Sequence, residues 1–365
     1  MAKRHLWFAA WLVALLAPAT VLADDAPAAA DVSADADVAD ADSDPERPRV
    51  PVWRPQGDLL GDLGMLTTRY EDTFAAIGTR LGLGYLELVK ANPDVDPWLP
   101  GDGTAITLPR RYVLPEGRRQ GLVVNLAEYR LYHFRDDGVA VYPVGVGTEE
   151  NPSPVTDARV TMRLESPAWY PPKSIRAEYE AAGEFLPRMI PPGPENPLGS
   201  HALLLSEAGY LIHGTNKRFG VGMQVSHGCF RMYNQDIATL AREVADGTTV
   251  QVVDQPVKVG FNGDEVWLEV HRPTENYRDS DRERLWQQVS DRLEQLRQSV
   301  PGVEIQRHQV ELAVQKGDGI PRMVGERLPQ LAAGEDSGRT DSVTPSPEAA
   351  SPAAEPSPPV QQLWF

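Results

Sequence analysis

The pattern of apolar and polar positions changes character several times along the chain. Residues 24–60 are rich in Asp, Ala, Val and Pro with little to bury, and read as a disordered acidic linker. Helical spacing first appears at Phe74, Ile77 and Leu81, behind an Asp72-Thr73 pair able to cap a helix. A second helical stretch, Tyr85 to Ala91, is stopped by Asn92-Pro93, and Ile106-Thr107-Leu108 reads as a closing strand. Residues 64–112 are therefore expected to form a small α+β module.

From Gly121 the period shortens to that of strands. Leu122 to Leu126 and Tyr129 to Phe134 predict a hairpin about Ala127-Glu128, and Val139 to Gly145 a third strand. Ala202 to Leu205, Tyr210 to Ile212, Thr249 to Val253 and Val266 to Val270 continue the series. Helices are expected at Ser174 to Ala182 and Asn234 to Val244, and a Pro-rich loop, Pro187 to Pro197, is placed at the border of a cleft. Many short strands rich in Gly and Pro predict a mainly β domain, a sandwich or barrel, over residues 117–256. A trailing β segment (257–275) follows, then a helical extension (276–331). In the extension Leu285, Val289, Leu293 and Leu296 form one stripe of a helix over Ser280 to Ser299. Residues 332–365, rich in Ala, Pro, Ser and Glu, read as a disordered tail.

The beginning of the chain adds a destination. Lys3, Arg4 and His5, an apolar run from Leu6 to Leu16, and Val21-Leu22-Ala23 predict a cleaved export signal over residues 1–23. The apolar run is shorter than the roughly 20 residues a membrane-spanning helix needs. A formal net charge of −17 makes nucleic acid a poor partner. The chain holds one cysteine, Cys229, so an exported protein cannot spend it on an internal disulfide.

Chemistry gathers around that cysteine. Ile212-His213-Gly214-Thr215-Asn216 closes a strand, and Val225-Ser226-His227-Gly228-Cys229-Phe230-Arg231-Met232 follows. A cysteine nucleophile attacks as thiolate and needs an imidazole or another positive field to lower its pKa. Gly228 would let backbone N–H groups approach an oxyanion, and Arg231 could clasp a carboxylate or brace the loop. A buried structural thiol and a zinc site of two His and one Cys are the competing readings, although paired metal-ligand spacing is lacking.

The pattern H-G-T-N-K, then Gly220 and Gly222, then S-H-G-C-F-R-M resembles the signature of the L,D-transpeptidase (YkuD) family. Gly121 to Tyr132, Pro167 to Pro172, Pro191 to Gly199 and Asp254 to Lys258 are similar to its Gram-negative, ErfK-YbiS-like branch. The 64–112 module resembles a LysM fold through Ala91-Asn92-Pro93 and Trp98-Leu99-Pro100-Gly101. The resemblance implies a β-sandwich or barrel and a periplasmic enzyme without cofactor or metal. Cys229 would attack the meso-diaminopimelate–D-alanine bond of a peptidoglycan tetrapeptide stem, and an amine would resolve the thioester. That amine would be an outer-membrane lipoprotein lysine or a second diaminopimelate.

By the same resemblance, His213 is the base and the Gly214 carbonyl its orienting partner, while His227 and Gly228 belong to the nucleophile loop and its oxyanion hole. Arg231, Ser226, Thr215 and Trp169 are expected at the substrate. Two departures stand out: Ser153-Pro154-Val155-Thr156 replaces a Thr-Pro-x-Gly turn, and Glu71 replaces a Gly. The competing functions are an L,D-carboxypeptidase, with water as acceptor, and a catalytically inactive wall-binding protein. Because the resemblance ends near His271, removal of residues 280–365 is expected to leave activity intact.

Overall fold

The computed structural model describes residues 48–273 and 279–328. The expected export signal, the linker up to residue 47 and the tail from 332 lie outside the described residues.

A nine-stranded sheet forms the central domain. Its strand order is Val52–Trp53, Gly138–Pro143, Arg130–Arg135, Gly121–Asn125, Thr249–Val253, Thr156–Glu165, His201–Leu205, Leu211–His213 and Phe230–Arg231. Neighbours are antiparallel except for Gly121–Asn125 with Thr249–Val253, and Leu211–His213 with Phe230–Arg231. Near-continuous apolar runs mark strands buried on both faces. In Gly121–Asn125, Leu122 and Val124 enter one core with Leu131, Tyr142, Ile212 and Phe230, and Val123 enters a second with Tyr132, Val141 and Leu60. Gly145, just beyond the Gly138–Pro143 strand, exchanges both backbone hydrogen bonds with Arg231 on the far edge, at 2.8 and 2.9 Å. The sheet therefore curls until its two ends meet, and the mainly β expectation holds.

The N-terminal module has the expected strand–helix–helix–strand order. Gly64–Thr67 pairs antiparallel with Ala105–Leu108, and between them run α1 (Phe74–Leu81) and α2 (Tyr85–Ala91). The Thr73 hydroxyl accepts from Ala76 N at 3.1 Å and caps α1. Phe74, Ile77, Leu83, Leu88 and Ile106 form the module's own core. Asn92, the helix stopper in the sequence, also ties α2 to the closing strand by hydrogen bonds to Leu88 O, Thr107 O and Thr107 N.

Two sequence expectations are corrected. The linker does not extend to residue 60, because Val52–Trp53 pairs with the sheet edge and the buried Leu59–Leu60 pairs with Tyr112–Val113. Two-residue apolar pairs, Val52-Trp53 between prolines and Leu59-Leu60 between glycines, carried too little period to be seen as strands. Residues beyond 257 are likewise one α+β unit rather than a β segment followed by helices. Val257–Asn262, Glu265–Val270, Arg322–Arg327 and Val303–Ile305 form a four-stranded sheet under α5 (Asp279–Ser299) and α6 (Arg307–Lys316). The stripe Leu285, Val289 and Leu293 shares one core with Val257, Val266, Leu268 and Val270.

The three units meet around buried charge. Arg130 reaches Glu87 on α2 (2.7 Å), Glu128 in the central domain (2.7 Å) and Glu269 in the C-terminal unit (2.6 Å). Lys258 Nζ, fully buried, donates to Glu128 (2.7 Å), Tyr132 OH (3.0 Å) and Val113 O (2.6 Å), and pairs with Glu269 at 3.1 Å. Glu128, Glu269 and His271 converge closely enough to suit a metal ion, but Lys258 and Arg130 already sit on both carboxylates.

Candidate active site

The parallel pairing of two short strands brings the sequence's candidates together. Ile212 lies level with Phe230, and His213 with Arg231. Ile212 and Phe230 are fully buried in the core. Alternation along a strand therefore turns His213 and Arg231 to the opposite face, with Cys229, one step before the strand, on that same face. Met232 N donates to His213 O at 2.8 Å and fixes the register on the far side.

The turn carrying the thiol is braced from within. Gly228 has φ +100, and a Cβ there would lie 2.8 Å from the Tyr210 ring, so both backbone and space demand glycine. Ser226 Oγ accepts from Gly228 N at 3.1 Å and donates to Cys229 O at 2.6 Å. Ser153 Oγ donates to Gly228 O at 2.8 Å and accepts from Gly147 N at 2.9 Å. Cys229 Sγ is half-buried and donates to Gly209 O at 3.6 Å.

Burial dominates the electrostatics. His213 is pushed down to about 4, chiefly by burial, which outweighs its hydrogen bond to the Gly214 carbonyl; Arg231 adds to the depression. That hydrogen bond spans 2.6 Å from Nδ1. Because a carbonyl only accepts, Nδ1 carries the proton and Nε2 is the basic nitrogen. Burial also pushes the Cys229 thiol up, more than a backbone hydrogen bond and Arg231 pull it down. The resting pair is thus neutral thiol and neutral imidazole.

Over this face runs the excursion between Thr156–Glu165 and His201–Leu205. It holds α3 (Lys173–Ala181) and the Pro-rich loop, while α4 (Asn234–Glu243) follows the Phe230–Arg231 strand. Glu178 on α3 meets His227 Nε2 at 2.9 Å, on an exposed rim, so His227 faces the excursion. Asn196, fully buried, donates to the carbonyls of Pro167, Ile190 and Pro191 and fastens the loop.

A family model of the L,D-transpeptidase catalytic domain matches residues 119–252. The chain is 39% identical over 269 residues to the probable L,D-transpeptidase ErfK/SrfK of Escherichia coli (strain K12), covering 71% of this chain and 84% of that relative. The chain belongs to the L,D-transpeptidase family. It is also 41% identical over 214 residues to the probable L,D-transpeptidase YcfS of the same strain, covering 56% of this chain and 67% of that one. Among solved structures it is similar to an L,D-transpeptidase from Mycobacterium smegmatis, with TM-score 0.28, 17% identity, and 41% and 63% of the two chains covered. For the catalytic domain of the Enterococcus faecium L,D-transpeptidase the values are 0.30, 17%, 38% and 99%.

Within this L,D-transpeptidase the expected site residues divide. His213 is tied to Gly214, and Arg231 lies within electrostatic reach of both His213 and Cys229. Ser226 and Thr215 are buried and give their hydroxyls to backbone groups; Thr215 Oγ1 donates to Lys217 O at 3.3 Å and accepts from Lys217 N at 2.9 Å. The Gly228 N–H, expected in an oxyanion hole, donates to Ser226 instead. Trp169 is half-buried in the excursion, where its backbone pairs with Ile190. Two bracing residues escaped the sequence reading. Asn234 Oδ1 accepts from Thr215 N and Ser200 N, both at 3.1 Å, linking the base loop to the excursion's end. Ser153 was noticed only as a departure, yet its hydroxyl holds the turn that carries Cys229.

Proposed function

We propose that this L,D-transpeptidase is exported to the periplasm and exchanges the terminal D-alanine of a peptidoglycan tetrapeptide stem, with Cys229 as nucleophile and His213 as base. The observation that carries this reading is the buried, neutral His213. Its Nδ1 is tied to the Gly214 carbonyl, and Nε2 is left basic on the sheet face that Cys229 shares. As the Cys229 sulfur bonds to the diaminopimelate carbonyl, its proton passes to His213 Nε2. The bond to D-alanine then breaks, and the leaving nitrogen takes that proton. An amine attacks the thioester, the carbon–sulfur bond breaks, and the amine's proton returns through His213 to sulfur. We take the amine to be a lipoprotein lysine or a second diaminopimelate, and the N-terminal module to be LysM-like and directed to the wall. His227 is less suited as base, because its Nε2 is engaged by Glu178 at an exposed position.

Purified enzyme given a tetrapeptide stem should release D-alanine and carry the acyl mass on the Cys229 peptide; Cys229→Ala should do neither. His213→Gln should slow acylation by roughly 10²–10⁴. A larger loss in His227→Ala than in His213→Gln would reverse the assignment. The N-terminus of the exported protein should be Asp24.

A further inference from the structure

The chain between His213 and Cys229 is gripped from outside the central domain. Its middle, the single-turn helix Arg218–Gly220 and the two residues after it, lies against the N-terminal module. The Phe219 ring stands 4.8 Å from that of Tyr85 and 5.3 Å from that of Trp98, the latter pair stacked at 29°. Tyr85 N donates to Val221 O at 3.4 Å. Gly222, at φ +78, rests directly on Gly84, where any Cβ would collide with the Gly84 backbone. On the other side of the nucleophile, two residues past Arg231, the buried Tyr233 donates its hydroxyl to Leu83 O at 3.1 Å. Leu83 and Gly84 lie in the turn between α1 and α2 and Tyr85 opens α2, so this corner of the module touches the chain both before and after Cys229.

None of these contacts involves a reacting group, yet each constrains where reacting groups can sit. A loop anchored at its midpoint has far fewer conformations than one fixed at its ends alone. We propose that the α1–α2 turn is a positioning element for catalysis, and that Phe219, clasped by Tyr85 and Trp98, sets where the loop presents the thiol to His213. The module then contributes to turnover even on a substrate that has no wall polymer for it to hold. This rests on the Cys229–His213 reading above.

The test uses the full chain carrying Phe219→Ala, Tyr85→Ala, the double variant, Phe219→Tyr, and Tyr70→Ala as a control on an exposed module position. Two readouts are taken: kcat and KM on a soluble tetrapeptide, and the iodoacetamide alkylation rate of Cys229 at pH 8. Phe219→Ala and Tyr85→Ala should each lower kcat roughly tenfold to hundredfold, the scale of a small misplacement of reacting groups, with KM nearly constant. The double variant should be no worse than the weaker single, since the two rings act as one unit. Phe219→Tyr should restore turnover, and Tyr70→Ala should match wild type. Alkylation should rise in Phe219→Ala, because a loosened turn hydrates a thiol that burial suppresses. Unchanged kcat in folded Phe219→Ala, or alkylation no faster than wild type, would overturn the proposal. If wild type itself releases no D-alanine, the proposed reaction fails, and the alkylation comparison alone still decides the positioning role.

Discussion

At the scale of single residues, the site departs from what its composition suggests. A cysteine two positions after one histidine and near another in sequence predicts a thiolate–imidazolium pair. The structure buries both groups, and burial disfavours charge on each. On the proposed mechanism the thiol is then activated only as substrate arrives and its proton moves. Turnover should need neutral His213, so its acid limb should fall near pH 4 while the rate holds through neutrality. Alkylation of the free enzyme should still be climbing at pH 9; a plateau near neutral pH would show a preformed ion pair. The same shift bears on stability. His213 is depressed below 6.5, so the unfolded chain binds the proton first, and stability is lost as pH falls from about 6.5 to about 4. The candidate site residues were legible because Cys229, His213 and Arg231 stand in a dense, specific motif. Ser153 and Asn234 were not, because a hydroxyl or amide that braces a backbone carries no pattern of its own.

At the scale of elements, the sequence revealed strands wherever both faces are apolar, as in Gly121–Asn125 and Arg130–Arg135. Thr156–Glu165 escaped because its inward positions Ala158 and Val160 alternate with Asp157, Arg159 and Thr161, leaving little apolar signal. The C-terminal unit escaped for a different reason: Val303–Ile305 and Arg322–Arg327 are short and polar, and only their pairing makes them strands. The expected tolerance to loss of residues 280–365 is therefore withdrawn. That deletion strips Glu265–Val270 of Arg322–Arg327, one of its two partner strands, and opens the core that Val266 and Leu268 share with α5 and α6. We expect the truncated protein to be poorly soluble and to melt well below the full chain. Truncation after Leu328 should change neither property. Circular dichroism melts of the two truncations separate these outcomes.

At the scale of the whole molecule, three units share one set of buried charges. Burial alone would raise Glu269, but Lys258, the His271 hydrogen bond and Arg130 outweigh it and hold the carboxylate far below its usual range. Lys258→Ala leaves Glu128 and Glu269 short of a cation and should cost about 3–5 kcal/mol in urea unfolding. Arg327→Ala, which breaks a largely exposed pair with Asp264, should cost less than about 1 kcal/mol. Equal costs would show that the interior network is no more than a surface one.

The meeting of Gly145 with Arg231 has a consequence in time rather than in space. These partners are far apart in sequence, so their bond closes a long loop, and we expect it to form late, after the intervening strands have paired. Cys229 and His213 flank that closure, so we expect a chain that has not yet made it to hold a solvated thiol at a site still unformed. The finished shape then both buries the thiol and supplies its proposed base, and alkylation of Cys229 during refolding should slow as that closure forms.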